Sequence, residues 1–273
     1  MYDPTTGLWS VRGSTIGLVA AQFGGLGWRA APGDYDGDGV TDLALFAPGS
    51  KTWTFGPVQA IQTAVTIPTT PDFDAAVASG DWVPAPADYD GDAKTDVAVY
   101  APATGAWVIQ RSHDDGLTQA TLGGPGFLAA PADFDGDGKV DVAVYEIATG
   151  NWSYLSSLTT SRVDFKFAGG KRFLPVPADY DGDGIADPAV YQQKKGKWRI
   201  LPSTTGVAYA VLGIGGAGQI ATPGDFDGDG KIDPAAYRRA NGRWRYLASS
   251  TGTKTSLPLV GGSTQSPVVG LRP

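Results

Sequence analysis

A nine-residue acidic motif recurs five times in this chain: DYDGDGVTD (34–42), DYDGDAKTD (88–96), DFDGDGKVD (133–141), DYDGDGIAD (179–187) and DFDGDGKID (225–233). Asp stands at positions 1, 3, 5 and 9, with Gly at 4 and usually at 6. The first Asp falls at 34, 88, 133, 179 and 225, so the intervals are 54, 45, 46 and 46 residues. A Trp at 9, 53, 107, 152, 198 and 244 keeps nearly the same beat. A period of 40–50 residues filled with short strands predicts a β-propeller, in which each repeat is one blade. One unit parses as strand A (LPVPADY, 174–180), the acidic loop, strand B (DPAVYQ, 187–192), strand C (KWRILPS, 197–203) and strand D (VAYAVLG, 207–213). Runs such as DVAVY at 96–100 and 141–145 are β-branched and aromatic between Gly, Pro and Asp, which is strand chemistry.

The two ends set the blade count. QSPVVGLRP (265–273) matches strand A, with Leu271 where a sixth loop would begin, and MYDPTTGLW aligns with VYAPATGAW (99–107), the end of a strand B. A C-terminal strand A joining N-terminal strands B, C and D predicts an all-β, six-bladed propeller of four-stranded antiparallel blades, closed within one blade. Closure removes the exposed sheet edges. The whole of 1–273 then reads as one domain, with five acidic loops for six blades.

The loops point to calcium. Four carboxylates within nine residues repel one another unless a cation sits among them, and a hard cation taking six to eight oxygens suits them. Glycines permit the positive φ that lets the backbone curl around an ion. The predicted ligands are Asp34, Asp36, Asp38, Asp42 and the carbonyl of Val40; Asp88, Asp90, Asp92, Asp96 and that of Lys94; and Asp133, Asp135, Asp137, Asp141 and that of Lys139. The last two loops supply Asp179, Asp181, Asp183, Asp187 and the carbonyl of Ile185, then Asp225, Asp227, Asp229, Asp233 and that of Lys231. This is not an EF-hand, because position 12 is Leu45, Val99, Val144, Val190 or Ala236 rather than Glu, and the flanks read as strands. At ~2 mM free calcium and a Kd of ~0.1–1 mM, five independent sites would add about 3–9 kcal/mol to stability. The loop at 88–96 is expected to be the weakest, since Ala93 replaces the position-6 Gly.

DxDGDGxxD followed by an AVY-like strand and a Gly-x-Trp turn resembles the FG-GAP repeats of the integrin α-subunit propeller and the related bacterial VCBS-type repeats. The resemblance spans essentially the whole chain. The chain departs from the integrin pattern in having six repeats rather than seven, and no Phe–Gly pair recurs in each unit. Thrombospondin type 3 repeats share the acidic signature but are Cys-rich, and this chain has no Cys. The resemblance implies a recognition or adhesion module, for glycans (lectin-like) or a surface protein. Some polysaccharide-cleaving glycosidases or lyases are similar too, and a structural spacer of a larger secreted protein is a third reading.

Charge and composition narrow the partners. The loops hold 20 of the 27 Asp, so the net charge of −7 is mostly a metal requirement and no basic cluster speaks for nucleic acid. No apolar run approaches a membrane span and no signal peptide is visible. Loops with millimolar calcium affinity fit an extracellular or cell-surface location. A monomer is expected.

Among other residues, the six Gly-x-Trp tryptophans fit blade packing by their regularity. Six residues before each first Asp stand Trp28, Trp82, Phe127, Phe173 and then Gln219, at the end of strand A opposite the acidic loop. This broken aromatic ring is the candidate ligand surface, with buried packing as its alternative. The insertion in TIPTTPDFDAAVASGDW (66–82) reads as a surface loop or a partner-binding segment. His113, the only histidine, lies at a hairpin tip in SHDDG. No nucleophile–base pattern exists, and carboxylates for paired catalysis are few: Glu146 and Asp3, 72, 74, 81, 114, 115 and 164. No catalytic residue is assigned.

Overall fold

The computed structural model describes residues 1–13, 17–56, 65–67, 69–77, 80–170, 173–257, 265 and 267. Six antiparallel sheets make it an all-β, six-bladed β-propeller. The chain divides into two compact units, residues 1–125 with 264–273 and residues 126–263. Among the described residues no helix is long and apolar enough to cross a membrane.

The first unit holds a three-stranded sheet of β1 (Tyr2–Asp3), β2 (Leu8–Gly13) and β3 (Gly17–Gln22). Its second sheet is β4 (Arg29–Ala30), β5 (Leu43–Ala47), β6 (Thr52–Gly56) and β7 (Val65–Ile67). Its third is β8 (Val83–Pro84), β9 (Val97–Ala101), β10 (Ala106–Gln110) and β11 (Leu117–Thr121). The predicted C-terminal strand at 265–273 lies outside the described residues except for Gln265 and Pro267. Gln265 is buried, and its Nε2 donates to Ser10 Oγ on β2 at 3.0 Å.

The second unit repeats one pattern three times. Its sheets are β12 (Phe127–Ala129), β13 (Val142–Glu146), β14 (Asn151–Leu155) and β15 (Arg162–Lys166); β16 (Phe173–Pro175), β17 (Ala189–Gln192), β18 (Lys197–Ile200) and β19 (Tyr209–Leu212); and β20 (Gln219–Ala221), β21 (Ala235–Arg238), β22 (Arg243–Leu247) and β23 (Lys254–Leu257). The first strand of each blade is shorter than the sequence pattern predicts. Proline two residues before each first Asp (Pro32, Pro86, Pro131, Pro177, Pro223) has no N–H to donate, so the ladder breaks there. Pairing resumes in a single bridge, such as Ala178 with Asp187, that closes the base of the acidic loop.

The core is built on a cross-strand aromatic pair repeated in every blade. Phe46 faces Trp53, Tyr100 faces Trp107, Tyr145 faces Trp152, Tyr191 faces Trp198 and Tyr237 faces Trp244, with ring centroids 4.8–5.2 Å apart. Tyr2 and Trp9 make the same pair at 4.7 Å. All these tryptophans except Trp244 are fully buried. Each pair contributes about 0.5–1.5 kcal/mol beyond its buried area.

The insertion before β8 is not a plain loop. Residues Pro71–Ala76 form α1, with Thr70 as N-cap accepting from Phe73 N at 3.2 Å and Pro71 in the first turn. Asp72 and Asp74 sit favourably in that turn. Thr70 N donates to Gln110 Oε1 of β10 at 2.8 Å, and Lys51 Nζ donates to the Asp74 carbonyl. Phe73 and Val77 are buried in one cluster with Phe46, Trp53 and Trp82.

Candidate metal centres

Antiparallel order places each acidic loop and the hairpin between the third and fourth strands at the same end of a blade. Within the loops, the position-1 carboxylate organises the turn. Asp179 Oδ1 accepts from Gly182 N at 2.5 Å and its Oδ2 from Gly184 N at 2.9 Å, and Asp34, Asp88, Asp133 and Asp225 do the same. The position-5 carboxylate accepts from the position-7 amide, as Asp183 does from Ile185 at 2.9 Å. Those bonds need left-handed backbone at positions 4 and 6. Ala93 is held there at φ 67° while its amide bonds Asp88 Oδ2 at 2.9 Å, a conformation that costs an L-residue about 1–2 kcal/mol.

The ninth Asp is the most buried member. Asp42, Asp96, Asp141, Asp187 and Asp233 are all within 2 % of full burial. One oxygen of each accepts from the position-2 amide, as Asp187 does from Tyr180 N at 2.9 Å. In the last four loops the other oxygen accepts a 2.7 Å bond from a serine amide in the neighbouring hairpin: Ser112, Ser157, Ser203 or Ser249. The same serine hydroxyl donates to the position-5 carboxylate, at 2.6 Å from Ser203 to Asp183. The following amide (His113, Leu158, Thr204, Ser250) reaches the position-3 carboxylate at 3.2 Å. This serine clamp was missed by the sequence analysis, although its signal is plain: Ser stands 24 residues after the first Asp in four repeats. In the first repeat that position is Val58, outside the described residues.

Ligand atoms of Asp34, Asp36 and Asp42 converge within 4.8 Å, and so do those of positions 1, 3 and 9 in the next three loops. In the fifth loop Asp225, Asp227 and Asp229 make the set. Each triad could hold a metal ion. Asp181 Oδ1 and Asp227 Oδ1 are buried with no hydrogen-bond partner, which is costly for a carboxylate unless a cation satisfies it. An all-oxygen, acidic donor set fits a hard divalent ion.

The electrostatics agree. Burial pushes the Asp96 carboxyl up to about 7 and those of Asp42, Asp141 and Asp187 up to about 6, with loop carboxylates adding repulsion. Hydrogen bonds from Ser203 and Ser250 hold Asp183 and Asp227 below the usual carboxylate range. Successive loops are also tied together. Ala186 N donates to Asp133 O at 2.7 Å, Ile232 N to Asp179 O at 2.8 Å, and in the first unit Thr95 N to Asp34 O at 2.7 Å.

The proposed aromatic ring is uneven. Trp82 is only 6 % exposed and packs with Phe73. Trp28, Phe127 and Phe173 are half-buried, and Trp28 and Phe173 rest against core clusters. His113 is exposed, and its amide serves the second loop.

Comparison with known proteins bears on the repeat. The family model for the FG-GAP repeat matches residues 26–67, which span β4 to β7 and the first acidic loop. Residues 26–67 are an FG-GAP repeat. No curated protein sequence matches the chain. A solved Agrocybe aegerita lectin that recognises non-reducing terminal N-acetylglucosamine is similar in fold, at 16% identity and TM-score 0.58 over 94% of this chain and 75% of that one. A catalytically inactive virginiamycin B lyase from Staphylococcus aureus with quinupristin is similar at 8% identity and TM-score 0.54, over the same shares. At these identities the likeness is one of fold.

Proposed function

We propose that this FG-GAP-type propeller is a calcium-stabilised, extracellular recognition module whose ligands are glycans. The observation that carries the calcium reading is the repeated carboxylate triad with buried, unpartnered oxygens on Asp181 and Asp227. Calcium would be held by the carboxylates at positions 1, 3, 5 and 9 with the position-7 carbonyl, and the serine clamp would keep the loop closed around it. Sites of this kind fill at the millimolar calcium found outside cells. The lectin likeness supports glycans over a surface protein as ligand, and Trp28, Phe127 and Phe173 are the half-exposed rings that can offer a face to a sugar. The lyase likeness shows that this fold also carries enzymes.

A glycan-array screen with calcium and again with chelator tests the reading. Specific binding lost on chelation is the expected result. A folded, calcium-loaded protein that binds nothing on a broad array would contradict the glycan assignment.

A further inference from the structure

The end of each blade opposite the acidic loop carries the hairpin between the second and third strands. In the second unit two successive hairpins are strongly basic: QQKKGK at 192–197 and RRANGR at 238–243. Lys194, Lys195, Arg238, Arg239 and Arg243 are exposed and Lys197 is half-buried. The hairpins are joined side by side. Gln193 Nε2 donates to the Gln219 carbonyl at 2.9 Å, and Gln219 pairs with Arg238 across β20 and β21. One continuous basic surface results.

Few carboxylates oppose it. Of the fourteen acidic residues of this unit, twelve lie in the three acidic loops at the other end. Asp164 is paired with Arg162 at 2.9 Å. Glu146, at the corresponding hairpin of the preceding blade, accepts from Asn151 Nδ2 at 2.9 Å. None of the ion pairs formed among the described residues involves Lys194, Lys195, Lys197, Arg238 or Arg243. By sequence this unit carries fifteen basic side chains against those fourteen, whereas the first unit carries six against fourteen. The negative charge of the chain therefore belongs to the first unit, and six of the fifteen basic side chains of the second lie in these two hairpins.

We infer that this basic surface binds the acid groups of a linear anionic polysaccharide, a refinement that rests on the glycan-recognition reading above. The cations are interleaved with the amides of Gln193, Gln219 and Asn241, and amides hydrogen-bond sugar hydroxyls while the cations meet sulfate or carboxylate. Nucleic acid fits less well. Single strands stack successive bases on aromatic platforms, and the first-strand residue beside the second basic hairpin is Gln219 rather than an aromatic, which leaves the half-buried Phe173, paired with Gln192, as the one first-strand ring beside these two hairpins. The unit also presents no described helix to enter a duplex groove.

The test uses the calcium-loaded chain with sulfated dextran as probe and uncharged dextran as control. The sulfated chain is expected to bind and the uncharged one not, with affinity falling on the order of 100-fold between about 50 and 200 mM salt. The double variant Lys194→Gln with Arg239→Gln should lose about tenfold in affinity. Arg111→Gln with Arg162→Gln removes equal charge from the acidic-loop end and should change affinity less than twofold. Equal losses in the two variants would show a non-specific charge effect and overturn the assignment. Tighter binding to short duplex DNA, or sedimentation with phosphatidylserine vesicles, would overturn it in favour of another class of partner. Neutral glycans bound on the array without sulfated dextran would end this refinement alone, and no glycan of either kind would end both readings.

Discussion

At the acidic-loop end, the last four loops share one set of bonds: position-1 and position-9 carboxylates on loop amides, and a hairpin serine on positions 5 and 9. At the other end the hairpins of the same four blades read APATGA, EIATGN, QQKKGK and RRANGR. Only the Gly of the turn repeats there. Sequence repeats at one end because every blade must solve the same problem of closing an anionic turn. It diverges at the other because the bonds shared there join backbone to backbone, as Gly105 N to Ala101 O, Gly150 N to Glu146 O and Gly242 N to Arg238 O, and leave the side chains free to vary, which is what a binding surface needs.

The comparison can be broken most forcefully by removing calcium. Chelator is expected to lower the melting temperature by on the order of 10 °C, from the loss of about 3–9 kcal/mol of binding energy. An unchanged melt would leave the repeated end without its explanation.

Next in size is the pH response. In the folded metal-free chain burial pushes the carboxyls of Asp42, Asp141 and Asp187 up to about 6 and that of Asp96 up to about 7, and raises that of Asp233, against about 3.9 when unfolded. Their folded values are raised, so the metal-free fold is stabilised by protonation as pH falls below about 7 and loses that stability as pH rises through 6 to 7. In chelator the melting temperature should therefore climb between about pH 8 and pH 5. In saturating calcium the order should reverse, because protons compete with the ion for the same oxygens. Parallel curves under the two conditions would mean that the ion and the protons do not share these carboxylates.

Trp82→Ala sharpens the boundary between the ends. Buried against Phe73, Trp82 should cost about 3–5 kcal/mol on truncation. A stable variant with weakened glycan binding would return it to the ligand surface. Asp187→Asn turns an acceptor toward the Tyr180 or Ser203 amide into a donor and should cost about 2–3 kcal/mol, measured by urea melts. The smallest effect is expected from Ala93→Gly, which relieves the φ of 67° and should gain about 0.5–1 kcal/mol in the calcium-loaded form.

Much of this was legible in the residues. The 46-residue beat, the strand runs and the Trp markers each describe a blade, and all three follow from local periodicity. The acidic spacing likewise announced the triads. The serine clamp escaped because Ser112, Ser157, Ser203 and Ser249 look like ordinary turn residues, and only folding brings them to Asp carboxylates 16 and 20 residues away. Helix α1 escaped because six residues are too few to show a period, although Thr70, Pro71, Asp72 and Asp74 are ordinary start signals. The burial of Trp82 depends on that helix: an aromatic at the start of a first strand faces core or solvent according to what an insertion lays over it. The basic surface was overlooked because the whole-chain charge averages an acidic unit with a nearly neutral one.

The most direct test is a calorimetric calcium titration of the chelator-stripped, refolded chain at neutral pH. The account predicts saturable binding in the range of ~0.1–1 mM, with a stoichiometry approaching the five triads, and loss of one site in Asp181→Asn. A titration with no heat and no change in melting temperature up to several millimolar calcium would contradict it.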